Sequence, residues 1–212
     1  MDNQNFLWNA TSSVLKPVMR VFCRFRIYGL ENVSSVKSPV IFAIATHSYF
    51  LDPYIVGIII PRHFYPVRFM TKPSFFKMPL VKHIVRAYDA FPVIRGQGLE
   101  NTLKPAIDFL KQGEPIGMFT EGKISTTGEL RPAKPGAAAL SILTNAPIIP
   151  VALKGTWQIR NPLKFLFLQK RISISFGQPI SPPNNASQLD KETLNNFTQT
   201  IENKIKTLYY SI

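Results

Sequence analysis

Within the apolar stretch Ile41–Ile60, the side chains that ionise closest to neutral pH are His47 and Asp52. Four residues separate them. A chain that folds back over that spacing brings the imidazole against the carboxylate. The histidine then becomes a general base whose ring the aspartate orients and whose cationic form it stabilises. Each residue also has an ordinary reading. Asp52 ahead of Pro53 reads as a helix N-cap followed by proline at the first helical position, and His47 as a loop histidine. Two further segments carry chemistry. In Phe119-Thr120-Glu121-Gly122-Lys123-Ile124-Ser125, Glu121 in a glycine turn can accept hydrogen bonds from a polyol, and Lys123 can meet a phosphate. Phe91–Gly96 ends a strand in Arg95, whose planar fork suits bidentate anion binding. Gly117-x-x-x-x-Gly122-Lys123 is nearly a phosphate loop, but Ile124 stands at the required Ser/Thr position and Gly117 falls inside an expected strand. No Gly-x-Ser-x-Gly elbow surrounds any serine. Cys23 is the single cysteine, so neither an internal disulfide nor a zinc cluster is expected.

The elements that position these residues follow from periodicity. Val40–Ala45, His63–Met70, Phe91–Ile94, Pro115–Phe119, Pro147–Leu153 and Arg171–Phe176 read as strands. Pro53–Ile60 reads as a helix closed by Pro61, and Lys72–Arg86 as a loop and a helix. Leu99, Leu103, Ile107 and Leu110 have helical spacing that ends near Gly113. Lys134–Leu143 is a small-residue helix, and Asp190 opens a last helix bearing Leu194, Phe197, Ile201, Ile205 and Leu208 on one face. Strands alternating with helices predict an α/β fold, a single domain with a mostly parallel sheet flanked by helices. Ligands of such sheets collect where strand C-termini enter loops. His47, Asp52, Arg95 and Glu121 all fall just past an expected strand.

The chain has 212 residues, 45% hydrophobic and 17% charged, with a formal charge of +13. Ordinary soluble domains carry ~25% charged residues. This balance excludes general disorder and suits a membrane surface better than nucleic acid, for which the basic residues gather in no known binding motif. No basic residue precedes the first apolar group, so a secretory signal is not expected. Phe6–Phe25 reads as an amphipathic helix. Phe6, Ala10, Val14, Val18 and Phe22 form its stripe, Lys16, Arg20 and Arg24 lie beside it, and Pro17 kinks it. Such a helix lies in an anionic lipid interface. Residues 1–35 are expected to be this membrane-associating segment and 36–212 the α/β domain. The longest apolar candidate for a span, Val40–Ile60, is interrupted by His47 and Asp52.

The order of the segments carries a resemblance. His47-Ser48-Tyr49-Phe50-Leu51-Asp52, Phe91–Arg95, Phe119–Gly122 and Ile148–Ala152 resemble the four ordered blocks of the glycerolipid acyltransferase superfamily, and most of all its bacterial-type 1-acylglycerol-3-phosphate acyltransferases. The resemblance covers about Pro39–Leu153. It implies direct acyl transfer from acyl-CoA or acyl-carrier protein to a lysophospholipid hydroxyl, giving phosphatidic acid. It further implies a membrane-associated enzyme on the cytoplasmic face of the inner or an internal membrane, with no cofactor, metal or covalent intermediate. His47 would take the proton and Asp52 orient it. Arg95, Glu121, Gly122 and, in place of the family's arginine, Lys123 would hold the acceptor. The third block departs from the family's Phe-Pro-Glu-Gly-Thr-Arg-Ser: Thr120 replaces Pro, Lys123 replaces Thr and Ile124 replaces Arg. The alternatives are another lysophospholipid acceptor or a non-catalytic basic membrane module.

Overall fold

The computed structural model describes residues 23–212 apart from 80, 88, 95, 97, 160–169 and 184–188, and before them only residues 13, 17 and 21. Seven strands make one sheet: β1 (Cys23–Tyr28), β2 (Ile41–Ala45), β3 (Arg68–Thr71), β4 (Phe91–Pro92), β5 (Ile116–Phe119), β6 (Ile148–Lys154) and β7 (Lys170–Phe176). Their spatial order is β1-β7-β6-β2-β5-β3-β4. β2 through β6 run parallel. β7 is antiparallel to β6, and β1 is parallel to β7. The described helices are α1 (Glu31–Ser34), α2 (Asp52–Gly57), α3 (Val81–Ala87), α4 (Leu99–Lys111), α5 (Gly136–Thr144) and α6 (Lys191–Ser211), with short 3-10 turns between. The chain is therefore a single α/β domain with a mostly parallel sheet.

β2 is central and shows why an unbroken apolar run forms a strand here. Phe42 and Ile44 face one layer with Ile55, Phe64 and Val151. Ile41, Ala43 and Ala45 face the other with Leu140, Ile148 and Phe197. A parallel strand covered on both faces needs apolar residues at every position rather than alternation. α4, α5 and α6 cover the second face. α6 starts as expected at Asp190, whose carboxylate accepts from the Thr193 amide at 2.8 Å. Pro105 is accommodated inside α4.

Three expectations are corrected. The helix expected over Phe6–Phe25 cannot run to Phe25. Cys23–Tyr28 is a strand pairing in register with β7 from Cys23↔Lys170 to Tyr28↔Ser175. Backbone pairing with a distant strand outweighs the four-residue apolar spacing, and the sheet begins before residue 36. Residues 6–12, 14–16, 18–20 and 22 of that expected helix lie outside the described residues, while Ser13, Pro17 and Val21 are helical. The strand expected over His63–Met70 is only Arg68–Thr71, because Arg62–Phe64 closes a 3-10 turn (Phe64 N–H to Pro61 O, 3.0 Å) and Pro66 has no N–H for a ladder. Asp52 does not cap α2. Leu51 holds that position, and no side chain bonds the helix start.

Gly117 lies within β5, and its role is steric. A Cβ there would stand 2.5 Å from the Phe69 ring, so only glycine lets the ring lie across the strand. Gly117→Ala is expected to lower the urea midpoint, costing about 1–3 kcal/mol by overpacking. A stability change within error would show that the ring moves freely.

Candidate active site

His47 sits in the loop between the C-terminal end of β2 and α2. α2 is rooted in the core by Ile55 and Val56, and its first residue, Asp52, is fully buried. One oxygen of that carboxylate gathers three donors. Asp52 Oδ2 accepts from the Ser48 amide at 2.7 Å and the Tyr49 amide at 2.8 Å, and lies 3.0 Å from His47 Nδ1. A carboxylate only accepts, so Nδ1 carries the hydrogen and Nε2 is left as the basic atom. The imidazole stacks on Phe119 with 4.0 Å between ring centroids. The Ser48 hydroxyl is 2.8 Å from that of Thr156, which ties the loop to the chain after β6.

The Glu121 turn packs on the same loop. Thr120 N–H donates to Ile44 O (2.9 Å) and Ser125 N–H to His47 O (2.5 Å). Gly122 takes a positive φ of 68°, and its missing Cβ leaves room for the Lys134 stem; the Lys134 ammonium is 3.8 Å from where that Cβ would stand. Glu121 is buried, and one of its oxygens accepts from the Arg131 amide at 3.3 Å. Glu121 Oε2 and Asp52 Oδ1 have no hydrogen-bond partner. Burial pushes the Glu121 carboxyl up to about 7, against the opposing pull of the Arg131 and His47 amides. A ligand hydroxyl reaching Glu121 Oε2 would supply the hydrogen bond that this buried oxygen lacks.

His47, Asp52, Glu121 and Gly122 are thus brought together. Lys123 follows on the exposed side of the turn. Arg95 lies outside the described residues. Two participants escaped the sequence reading. Thr156 anchors the loop, and Lys134 flanks the turn; neither stands in a recognisable spacing, since each reaches the site only through chain reversal. No group of His, Cys and carboxylate side chains that could hold a metal exists among the described residues.

Three comparisons bear on this arrangement. A family model described as Acyltransferase matches residues 24–154, which hold β1 apart from Cys23, β2 to β6 and every site residue above except Thr156. A 1-acyl-sn-glycerol-3-phosphate acyltransferase of Bacillus subtilis (strain 168) is 28% identical over 203 residues, 95% of this chain and 96% of that protein. The chloroplastic 1-acyl-sn-glycerol-3-phosphate acyltransferase BAT2 of Brassica napus is 29% identical over 140 residues, 65% of this chain and 39% of its own length. Among solved structures, the 1-acyl-sn-glycerophosphate acyltransferase PlsC from Thermotoga maritima shares the fold. Its TM-score is 0.71 at 19% identity, over 97% of this chain and 80% of that one.

The raised Glu121 midpoint has a thermodynamic consequence. Between the ordinary value of 4.5 and about 7 the folded chain binds this proton more tightly than the unfolded chain. Its contribution is therefore fully present below 4.5 and is lost as pH rises through 7. Relative to Glu121→Gln, the unfolding free energy of the parent is expected to fall from about pH 5 to about pH 8, by of order 3 kcal/mol. Urea titrations at several pH values check this, and a pH-independent difference would contradict it.

Proposed function

The chain belongs to the acyltransferase family, and we propose that it moves a fatty acyl group from acyl-CoA or acyl-carrier protein to the free hydroxyl of 1-acylglycerol-3-phosphate, giving phosphatidic acid. The observation that carries this reading is the His47–Asp52 contact, a ring held by a buried carboxylate with its second nitrogen left basic. The substrate class rests on the relatives of that name.

In the proposed step, His47 Nε2 accepts the proton of the acceptor hydroxyl as its oxygen attacks the thioester carbonyl. The tetrahedral intermediate collapses, the C–S bond breaks and the ester forms. The imidazolium returns its proton to the departing sulfur, which leaves as a thiol. Asp52 holds the ring and stabilises its cation between the two transfers. The step as written needs neither a covalent enzyme intermediate nor a cofactor. Glu121 and the Gly122 turn take the glycerol oxygens, and Glu121 can donate when protonated and accept when not. For the phosphate, Ile124 offers no charge. The cations proposed for it are Arg95, Lys123 and Lys134, the last supported by its place over Gly122.

The proposed location is a membrane, at the cytoplasmic face of the inner or an internal membrane. No described helix is long and apolar enough to cross a bilayer.

Thiol release scored across a lysolipid panel tests the reading, with lysophosphatidate expected to be the preferred acceptor. Asp52→Asn retains a carbonyl for the Ser48 and Tyr49 amides, so its unfolding midpoint is expected to stay near the parent's while kcat falls about 10²–10⁴-fold. His47→Ala is expected to lose at least as much. Turnover undiminished in both variants overturns the mechanism, and absent thiol release with every lysolipid overturns the activity. Lys134→Met is expected to raise KM for lysophosphatidate about tenfold, as lost charge-assisted contacts do, with KM for the acyl donor unchanged. Equal effects on both would remove Lys134 from the acceptor site.

A further inference from the structure

The direction of the strands sorts the surface into two ends. β2 through β6 point their C-termini at one edge, where His47 and Glu121 sit. β1 runs opposite to them, since it parallels β7 and β7 opposes β6. β1 therefore starts at that same edge, and whatever precedes Cys23 enters the sheet there.

The exposed apolar side chains are distributed unevenly between the ends. Among the described residues ten large apolar side chains are exposed, and seven follow the active edge of the sheet. Phe50 (57% exposed) lies in the His47–Asp52 loop, Met78 and Ile84 follow β3, Ile94 (58%) follows β4, and Ile124 and Trp157 follow β5 and β6. The seventh, Val21, precedes β1. The segment after β3 stands above this edge. The chain leaves at Thr71 and re-enters at Phe91, level with Met70, so the described residues between them project from the rim. That projection is basic. Lys72, Lys77, Lys82 and Arg86 lie in it, and no carboxylate occurs from Pro53 to Tyr88.

We propose that this rim, built on residues 72–79 and 81–87 with Phe50 and Ile94 at the same edge, docks on an anionic lipid surface and presents the His47 pocket to the bilayer. The proposal rests on the lysophospholipid reading above and names the surface through which that substrate arrives. An acidic carrier protein would answer the charges. Exposed Phe50, Met78, Ile84 and Ile94 at one edge of the sheet fit a hydrocarbon boundary better, because apolar groups flanked by Lys and Arg settle at the headgroup level. Docking here also lets a single-chain lipid enter the site without its acyl chain crossing water. The N-terminal segment joins the sheet at this edge, so a lipid contact made by it and one made by the rim lie on one side of the molecule.

The test uses the full chain with buried Cys23 changed to serine. Ile84→Cys and, at the opposite edge ahead of β5, Gln112→Cys each carry an environment-sensitive fluorophore. Vesicles are phosphatidylcholine alone or with one part in three phosphatidylglycerol. On the anionic vesicles, the label at 84 is expected to shift to the blue and be quenched by a bilayer-embedded quencher, and the label at 112 to do neither. The triple variant Lys77→Gln/Lys82→Gln/Arg86→Gln is expected to partition at least tenfold more weakly, each interfacial cation being worth roughly fivefold. Its thiol release with a water-soluble short-chain lysophosphatidate should stay within twofold of the parent's. Identical behaviour of the two labels on bound protein overturns the proposal, as does unchanged partitioning of the triple variant. Slower transfer from acyl-carrier protein with unchanged partitioning would make this face a carrier-protein dock and also overturn it. If the label at 84 enters the bilayer while no lysolipid yields thiol, docking stands and the catalytic reading fails.

Discussion

A buried carboxylate without a neighbouring cation has to be satisfied by hydrogen bonds, and Asp52 meets that demand with a single oxygen. The amides of Ser48 and Tyr49 and the imidazole of His47 all converge on Oδ2. The constraint shapes the whole loop. Because Asp52 opens a helix whose next turn is packed in the core, the loop is pulled down onto the sheet, and the ring is fixed against Phe119 at the end of β5. Ser125 then reaches back to the carbonyl of His47, so the Glu121 turn and the histidine loop form one rigid unit. Orientation of the His47 ring and placement of the Glu121 turn are thus two results of one burial.

Much of this was legible in sequence because charge is scarce. Where apolar residues run nearly unbroken from Ile41 to Ile60, an isolated His and Asp stand out, and β2, β5 and β6 follow from runs that must be covered on both faces. Other parts were misread for identifiable reasons. Asp-Pro at a helix start mimics a capping signal, but the bond that matters turns backwards to residues 47–49, a choice made by burial. The stripe ending at Phe25 resembles a helix because its partner, β7, lies at the other end of the chain. Lys134 was silent, since its place over Gly122 depends on the Lys134 amide bonding Thr120 O at 2.9 Å. Arg95 and most of the stripe from Phe6 to Phe22 lie outside the described residues.

The reversal between β6 and β7 gives the sheet its asymmetry. In a wholly parallel sheet every strand would begin at the far edge. Here β1 starts at the edge that carries the His47 loop, and the basic stretch after β3 projects from that same edge near the other end of the sheet. Chemistry, charge and exposed apolar surface therefore share one side of a small molecule, while α4, α5 and α6 bury the second sheet face.

The Glu121 carboxyl, with its midpoint near 7, links that side to its surroundings. A leaflet held at about −30 mV concentrates protons roughly threefold at its surface. In the proposed docking, a group titrating at this point would carry its hydrogen more often beside such a leaflet than in bulk solvent, and the pocket's balance of donor and acceptor would follow the lipid composition beneath it.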